Sequence, residues 1–330
     1  MSFIMNAGIL VIGFLLLIKG ADFFVEGSAA VARKFRVPAL IIGLTIVAMG
    51  TSAPELAVSV SAALEGSNEI AVSNVTGSNV FNLLVVLGVC SLVAPLPSDE
   101  DILKRDYPFM LIISAILFFM VFGNYISIAG AEGLNSVAQC GVMGRADGII
   151  MLVLFVSYLV FTVKAALKNR TSFDDNESYM VFFKTYQIVL YIFGGLVAIV
   201  VGGKMVVNGA KEIALMLGMT ETLVGLTIVA VGTSLPELVT SLVAAKKGEN
   251  GLAMGNIIGS NIFNILFILG VSSTITPIFV NVQGVTDIII MCLMCAAVFV
   301  FSKTKKDINK KEGLIMLSIY ILYMIYAIIR

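Results

Sequence analysis

The chain has 330 residues, 59% of them apolar and 13% charged, with a mean hydropathy of +1.03. Soluble domains carry roughly 25% charged residues, and a water-soluble chain of this composition would expose large apolar patches, so it reads as a membrane protein. Basic and acidic residues balance at 21 each, which excludes the basic face of a nucleic-acid binder, and the absence of histidine excludes His-ligated zinc and His-based catalytic triads.

Ten apolar stretches follow one another along the chain: 6–24, 38–64, 70–95, 107–123, 148–166, 185–206, 222–245, 252–277, 284–302 and 313–329. Each matches the ~20 residues of a helix that crosses a bilayer. The runs are continuous, without two-residue alternation, so the expectation is an all-α polytopic membrane protein and not a barrel. The first run lacks a basic leader and a small-residue cleavage site, and is expected to remain as a helix. The glycine-rich stretch 123–147 reads as a surface loop. The polar connector 167–184 separates a first five-helix unit, 1–166, from a second, 185–330. Loops after the odd-numbered helices hold 16 of the 21 basic residues, including Arg33, Lys34, Arg36, Lys246 and Lys247. This bias predicts that those loops are cytoplasmic, that both termini face outward and that the chain sits in the plasma (inner) membrane.

The two units are copies at a fixed offset of 182 residues. Gly50-Thr51-Ser52-Ala53-Pro54-Glu55-Leu56 matches Gly232-Thr233-Ser234-Leu235-Pro236-Glu237-Leu238, and 15 of 21 positions agree between 43–63 and 225–245. Gly77-Ser78-Asn79-Val80-Phe81-Asn82 matches Gly259-Ser260-Asn261-Ile262-Phe263-Asn264. An odd number of helices per unit makes the second copy insert upside down. Inverted repeats of this kind place their binding site near the midplane where the copies meet.

Glu55 and Glu237 stand ~25 Å along their helices, still within the hydrocarbon. A charge at such depth costs at least ~2.5–3.5 kcal/mol and marks a functional site by default. No basic residue lies at comparable depth in these segments to neutralise them. Pro54 and Pro236 should deprive the carbonyls of Gly50 and Gly232, and those of neighbouring Thr51 and Thr233, of helical partners. Helical spacing lines up Thr51 and Ser52 with Glu55, and Ser78 with Asn82; the second copy repeats this with Thr233, Ser234, Glu237, Ser260 and Asn264. The expected pocket is made of oxygen alone, which suits hard cations such as Ca2+ and Na+. Two carboxylates sharing a dry site repel, and one Ca2+ would neutralise both. Ions competing for one site between two mirrored gates would exchange without ATP, and no Walker motif is present. Cys292 and Cys295 form a C-x-x-C within an apolar helix and read as packing. Asp22 and Lys204 hold matched positions, but inversion puts them at opposite membrane faces.

These paired motifs resemble the cation/calcium exchanger superfamily, in its prokaryotic sodium/calcium exchanger-like branch, over nearly the whole chain. The resemblance implies ion ligation by Glu55, Glu237, Asn82, Ser52, Ser78, Ser234 and Ser260, with backbone carbonyls of Ala48, Thr51, Ala230 and Thr233. It also implies alternating access, with the first and sixth helices sliding on the rest, and electrogenic Na+/Ca2+ antiport. One position departs: an archaeal member has aspartate where this chain has Asn264. The expectation is therefore a secondary transporter and not an enzyme. It would have Ca2+ and Na+ as cargo, no cofactor and no nucleic-acid partner, and would work as a monomer in the lipid bilayer. The alternatives are a Ca2+/H+ or K+-dependent antiporter and, remotely, a passive cation channel.

Overall fold

The computed structural model describes residues 3–66, 69–97, 100–132, 141–168, 183–219, 228, 230–305 and 307–329. Among them the chain is almost entirely helical: α1 (Phe3–Phe35), α2 (Ala39–Thr51), α3 (Ala53–Leu64), α4 (Ile70–Val93), α5 (Tyr107–Glu132), α6 (Arg145–Lys168), α7 (Thr185–Met216), the three-residue α8 (Ala230–Gly232), α9 (Leu235–Lys246), α10 (Asn250–Ile275), α11 (Val282–Lys305) and α12 (Lys310–Ile329). Eight helices among the described residues are long and apolar enough to cross a membrane. Counting the bent pair α2 and α3 as one span makes nine. The expected seventh span, 222–245, is described only from residue 230 onward, apart from residue 228.

Several boundaries differ from the sequence reading. Helix α1 runs on to Phe35 and α7 to Met216, because their polar ends still offer good helix formers after the apolar run has stopped. Part of the expected loop 123–147 is helix, since α5 continues to Glu132, and residues 133–140 lie outside the described residues. So do residues 169–182 of the connector.

Proline acts differently from the expectation. The second span is broken at Ser52, where φ is −82° and ψ is 10°, and its two pieces are bent by 49°. Pro54 therefore lies in the first turn of a new helix, where its missing N–H is no loss. Pro236 stands likewise in α9, after Ser234 with φ −90° and ψ 5°. The helix ends on Thr51, with the Ser52 N–H still bonded to the Ala48 carbonyl, and each proline follows the break in the first turn of the next helix. Four π-helical turns are present among the described residues, at Gly43–Val47, Ile102–Asp106, Asn82–Val86 and Asn264–Ile268. The last two begin on matched asparagines, and such turns often mark functional positions.

Helices α4 and α10 form the buried centre, while α1, α7 and α12 turn most of their surface outward. A membrane protein cannot rely on water to drive its helices together, so packing depends on close approach. The antiparallel pair α1 and α7 achieves it through glycine. A Cβ on Gly20 would lie 2.8 Å from the Gly195 carbonyl oxygen, and one on Gly195 would lie 2.7 Å from that of Gly20. Gly13 and Gly202 meet in the same reciprocal way. Two short antiparallel ribbons join the halves: β1 (Leu96–Pro97) pairs with β4 (Asp307–Ile308), and β2 (Gly141–Met143) with β3 (Ile278–Val280). Polar contacts tie α1 to the turn between α9 and α10. Lys247 reaches Asp22 (3.4 Å) and Glu26 (3.8 Å), and Arg33 reaches Glu249 (3.1 Å). Asp22 is thus paired with Lys247 and Lys19, in line with the rejection of a bridge to Lys204.

Gly20→Val should force α1 and α7 apart and cost about 1–3 kcal/mol, whereas Gly8→Val meets open space. Thermal unfolding in detergent should show a clearly lower melting temperature for the first variant and an unchanged one for the second.

Candidate functional site

The break at Ser52 and its counterpart at Ser234 place the two glutamates in the first turns of α3 and α9. Both glutamates are fully buried. Each is bound by the other half of the chain: Ser52 Oγ donates to Glu237 Oε1 (2.7 Å), and Ser234 Oγ donates to Glu55 Oε1 (3.1 Å). The sequence reading paired these serines with the glutamate on their own helix. The helix break turns them across instead. The two carboxylates lie close enough to repel one another, with Thr233 also near Glu55 and with Thr51 and Ser260 near Glu237.

Neither carboxylate has an ion-pair partner among the described residues. Asp106, buried as deeply, is by contrast clasped by the Arg105 guanidinium at 2.8 and 2.9 Å and accepts a bond from Tyr158 Oη (3.3 Å). A buried charge without a counter-charge is strongly disfavoured, so the two glutamates need a cation from elsewhere or a proton.

Three pairs of buried or half-buried asparagines also repeat at the 182-residue offset. Asn74 Nδ2 donates to the Glu55 carbonyl oxygen (3.2 Å) and to Ser59 Oγ (3.0 Å). Asn256 Nδ2 does the same to the Glu237 carbonyl (3.5 Å) and Ser241 Oγ (2.9 Å). Asn82 Nδ2 donates to Asn261 Oδ1 (3.5 Å), and Asn264 Nδ2 to Asn79 Oδ1 (3.0 Å). These four supporting asparagines, Asn74, Asn79, Asn256 and Asn261, carried no assigned role in the sequence reading. Their recurrence at the repeat offset was the signal that could have found them.

What remains is a set of fully buried oxygens without a hydrogen-bond donor: Glu55 Oε2, Glu237 Oε2, Asn82 Oδ1 and Asn264 Oδ1, with the Ser78 and Ser260 hydroxyls also unpartnered. They form three pairs related by the repeat. Buried polar atoms are nearly always satisfied, so such a set is a place for a ligand that accepts oxygen lone pairs. The remaining expected groups stand differently. Thr51 Oγ1 is engaged by Asn256 Oδ1 (3.0 Å), while Thr233 Oγ1 is buried and unpartnered. The Ala48 carbonyl already accepts the Ser52 N–H (3.1 Å), whereas the Ser234 N–H goes to Val231 (3.2 Å) and not to Ala230, which opens α8. No group of three or more acidic or Cys side chains gathers among the described residues, so any cation here depends on neutral oxygens beside two carboxylates. Cys90, Cys292 and Cys295 are free, away from this cluster, and Cys140 lies outside the described residues.

Asn256→Leu removes donors to two groups and the partner of Thr51 at once. It should destabilise the protein by about 1–3 kcal/mol, read as a lower melting temperature in detergent.

Comparison with known proteins identifies the family. The family model described as sodium/calcium exchanger protein matches residues 5–164 and 187–329. The putative antiporter CaxA of Alkalimonas amylolytica is 37% identical over 320 residues, covering 94% of this chain and 95% of that protein. The sodium/calcium exchanger MaX1 of Methanosarcina acetivorans is 31% identical, covering 97% of each. A solved structure of the sodium-calcium exchanger NCX_Mj, soaked with 2.5 mM Na+ and 0.1 mM Ca2+, superposes with a TM-score of 0.79 at 32% identity over 97% of both chains. With its paired motifs, buried carboxylates and membrane-spanning helices, the chain belongs to the sodium/calcium exchanger family of multi-pass membrane transporters.

Proposed function

We propose that this chain exchanges Na+ for Ca2+ across the plasma membrane by alternating access, as an electrogenic Ca2+ exporter. The observation that carries this reading is the set of unpartnered buried oxygens, two of them carboxylate, with no base beside them among the described residues. Calcium takes six to eight oxygen ligands from carboxylates, amides, hydroxyls and carbonyls. The candidate ligands are Glu55, Glu237, Asn82, Asn264, Ser52, Ser78, Ser234 and Ser260, with main-chain oxygens of Thr51, Thr233, Ala48 and Ala230. Ca2+ would neutralise the two carboxylates. Sodium ions drawn to the same oxygens would then displace it.

The architecture we assign is ten helices in two inverted repeats, residues 1–166 and 185–330 joined by 167–184, forming one transport unit. The reciprocal bonds from Ser52 to Glu237 and from Ser234 to Glu55 support a twofold relation between the halves. The antiparallel packing of α1 on α7 supports the inversion. Basic loops facing the cytoplasm and both termini facing outward complete the assignment, and the transporter acts as a monomer.

Uptake of radioactive Ca2+ into proteoliposomes tests the coupling ion. An outward Na+ gradient should drive uptake, and an H+ or K+ gradient imposed alone should not; the reverse result would transfer the assignment to a proton- or potassium-coupled antiporter. Glu55→Gln and Glu237→Gln should each reduce uptake to the level of empty vesicles while the protein stays folded. The site has two carboxylates, and protonation of a carboxylate removes binding as the pH falls. Asn264→Asp adds a third titrating group, so uptake by that variant should fall more steeply on acidification than uptake by the unaltered protein.

A further inference from the structure

We infer that Asn79 is a positioning residue, which holds the Asn264 amide with its oxygen, and not its NH2, turned to the ion site. The inference rests on the proposed role of Asn264 as a ligand. A carboxylate presents an oxygen to a cation whichever way it turns. An amide does so in one orientation of two, and in the other it points N–H groups at the cation. A chain with asparagine at this position therefore needs something to choose the orientation.

The structure supplies it. Asn264 begins a π-helical turn, is fully buried, and donates Nδ2 to Asn79 Oδ1 at 3.0 Å. This leaves Asn264 Oδ1 without a partner. Asn79 could in principle turn with it, but Asn79 is itself fixed. Its Nδ2 donates to the main-chain carbonyl of Asn261 (3.3 Å) and meets Met291 Sδ (3.5 Å). A backbone carbonyl only accepts, so a turned Asn79 would set oxygen against oxygen in a buried site. The order runs from an atom that cannot reorient, the Asn261 oxygen, through Asn79 to Asn264. The mirrored set has Asn82 donating to Asn261 Oδ1 (3.5 Å) and Asn261 Nδ2 meeting Met110 Sδ (3.8 Å). It lacks the backbone anchor, so the stronger control falls on Asn264.

The test compares Asn79→Leu in two backgrounds, the unaltered chain and the Asn264→Asp variant. The readouts are half-saturation by Ca2+ in proteoliposome uptake and the thermal stabilisation by Ca2+ of purified protein. In the unaltered chain the substitution should raise half-saturation about tenfold, the size of one buried hydrogen-bond mismatch, with the maximal rate changed less. In the Asn264→Asp background, where either carboxylate oxygen can face the ion and Asn79 Oδ1 opposes the other one, it should not raise half-saturation. An equal effect in both backgrounds would assign Asn79 a general packing role and overturn the inference, as would no effect in either. Asn79→Ala, which removes the same acceptor, serves if the leucine variant does not fold. Asn264→Leu separates the two levels. Unchanged Ca2+ half-saturation in that variant would remove Asn264 from the ion site and the inference with it. A raised half-saturation beside an inert Asn79→Leu would leave the ion site standing and remove the inference alone.

Discussion

Two carboxylates buried together, with no base beside them among the described residues, are the constraint on which the rest of this structure depends. In a low-dielectric interior each charge is costly alone, and each makes the other more costly. The protein does not relieve this with lysine or arginine, as it does at Asp106. It offers each glutamate one hydroxyl from the opposite half and leaves the other oxygen open. That open oxygen on each glutamate is what the proposed cation site rests on.

Hydrogen bonds between the surrounding helices hold the two glutamates in place. The asparagines at 74 and 256 tie the first turns of α3 and α9 to the neighbouring central helices. Those at 79 and 261 tie the central helices α4 and α10 to one another. The breaks at Ser52 and at Ser234 let these serines point across the molecule, a direction an unbroken helix would not permit. Glycine pairs on α1 and α7, and the short ribbons β1–β4 and β2–β3, bring the halves into contact away from the site. The polar and apolar devices thus act on the same juncture from its centre and from its edges.

Much of this was legible in the sequence alone. Composition and run length identified the helices, because a bilayer demands about twenty apolar residues in each. The 182-residue offset exposed the duplication, since aligned Pro, Glu and Asn do not arise from apolar bias. Depth within an apolar run marked Glu55 and Glu237, because charge in hydrocarbon is too costly to be incidental. Helix ends were less legible: α1 and α7 extend beyond their apolar runs because helical propensity outlasts hydrophobicity at a membrane surface.

The sequence by itself determined the class of molecule, its internal duplication and the two glutamates set deep in apolar runs, all of which depend on local patterns that a linear reading can count. Only the tertiary structure decided which serine serves which glutamate, that each proline stands in the first turn of a helix, and that the Thr51 hydroxyl donates to Asn256. It also decided which asparagines present oxygen and which support them. Those choices depend on where two segments 182 residues apart meet and in which direction a hydrogen bond runs between them, and neither is encoded in spacing along one helix.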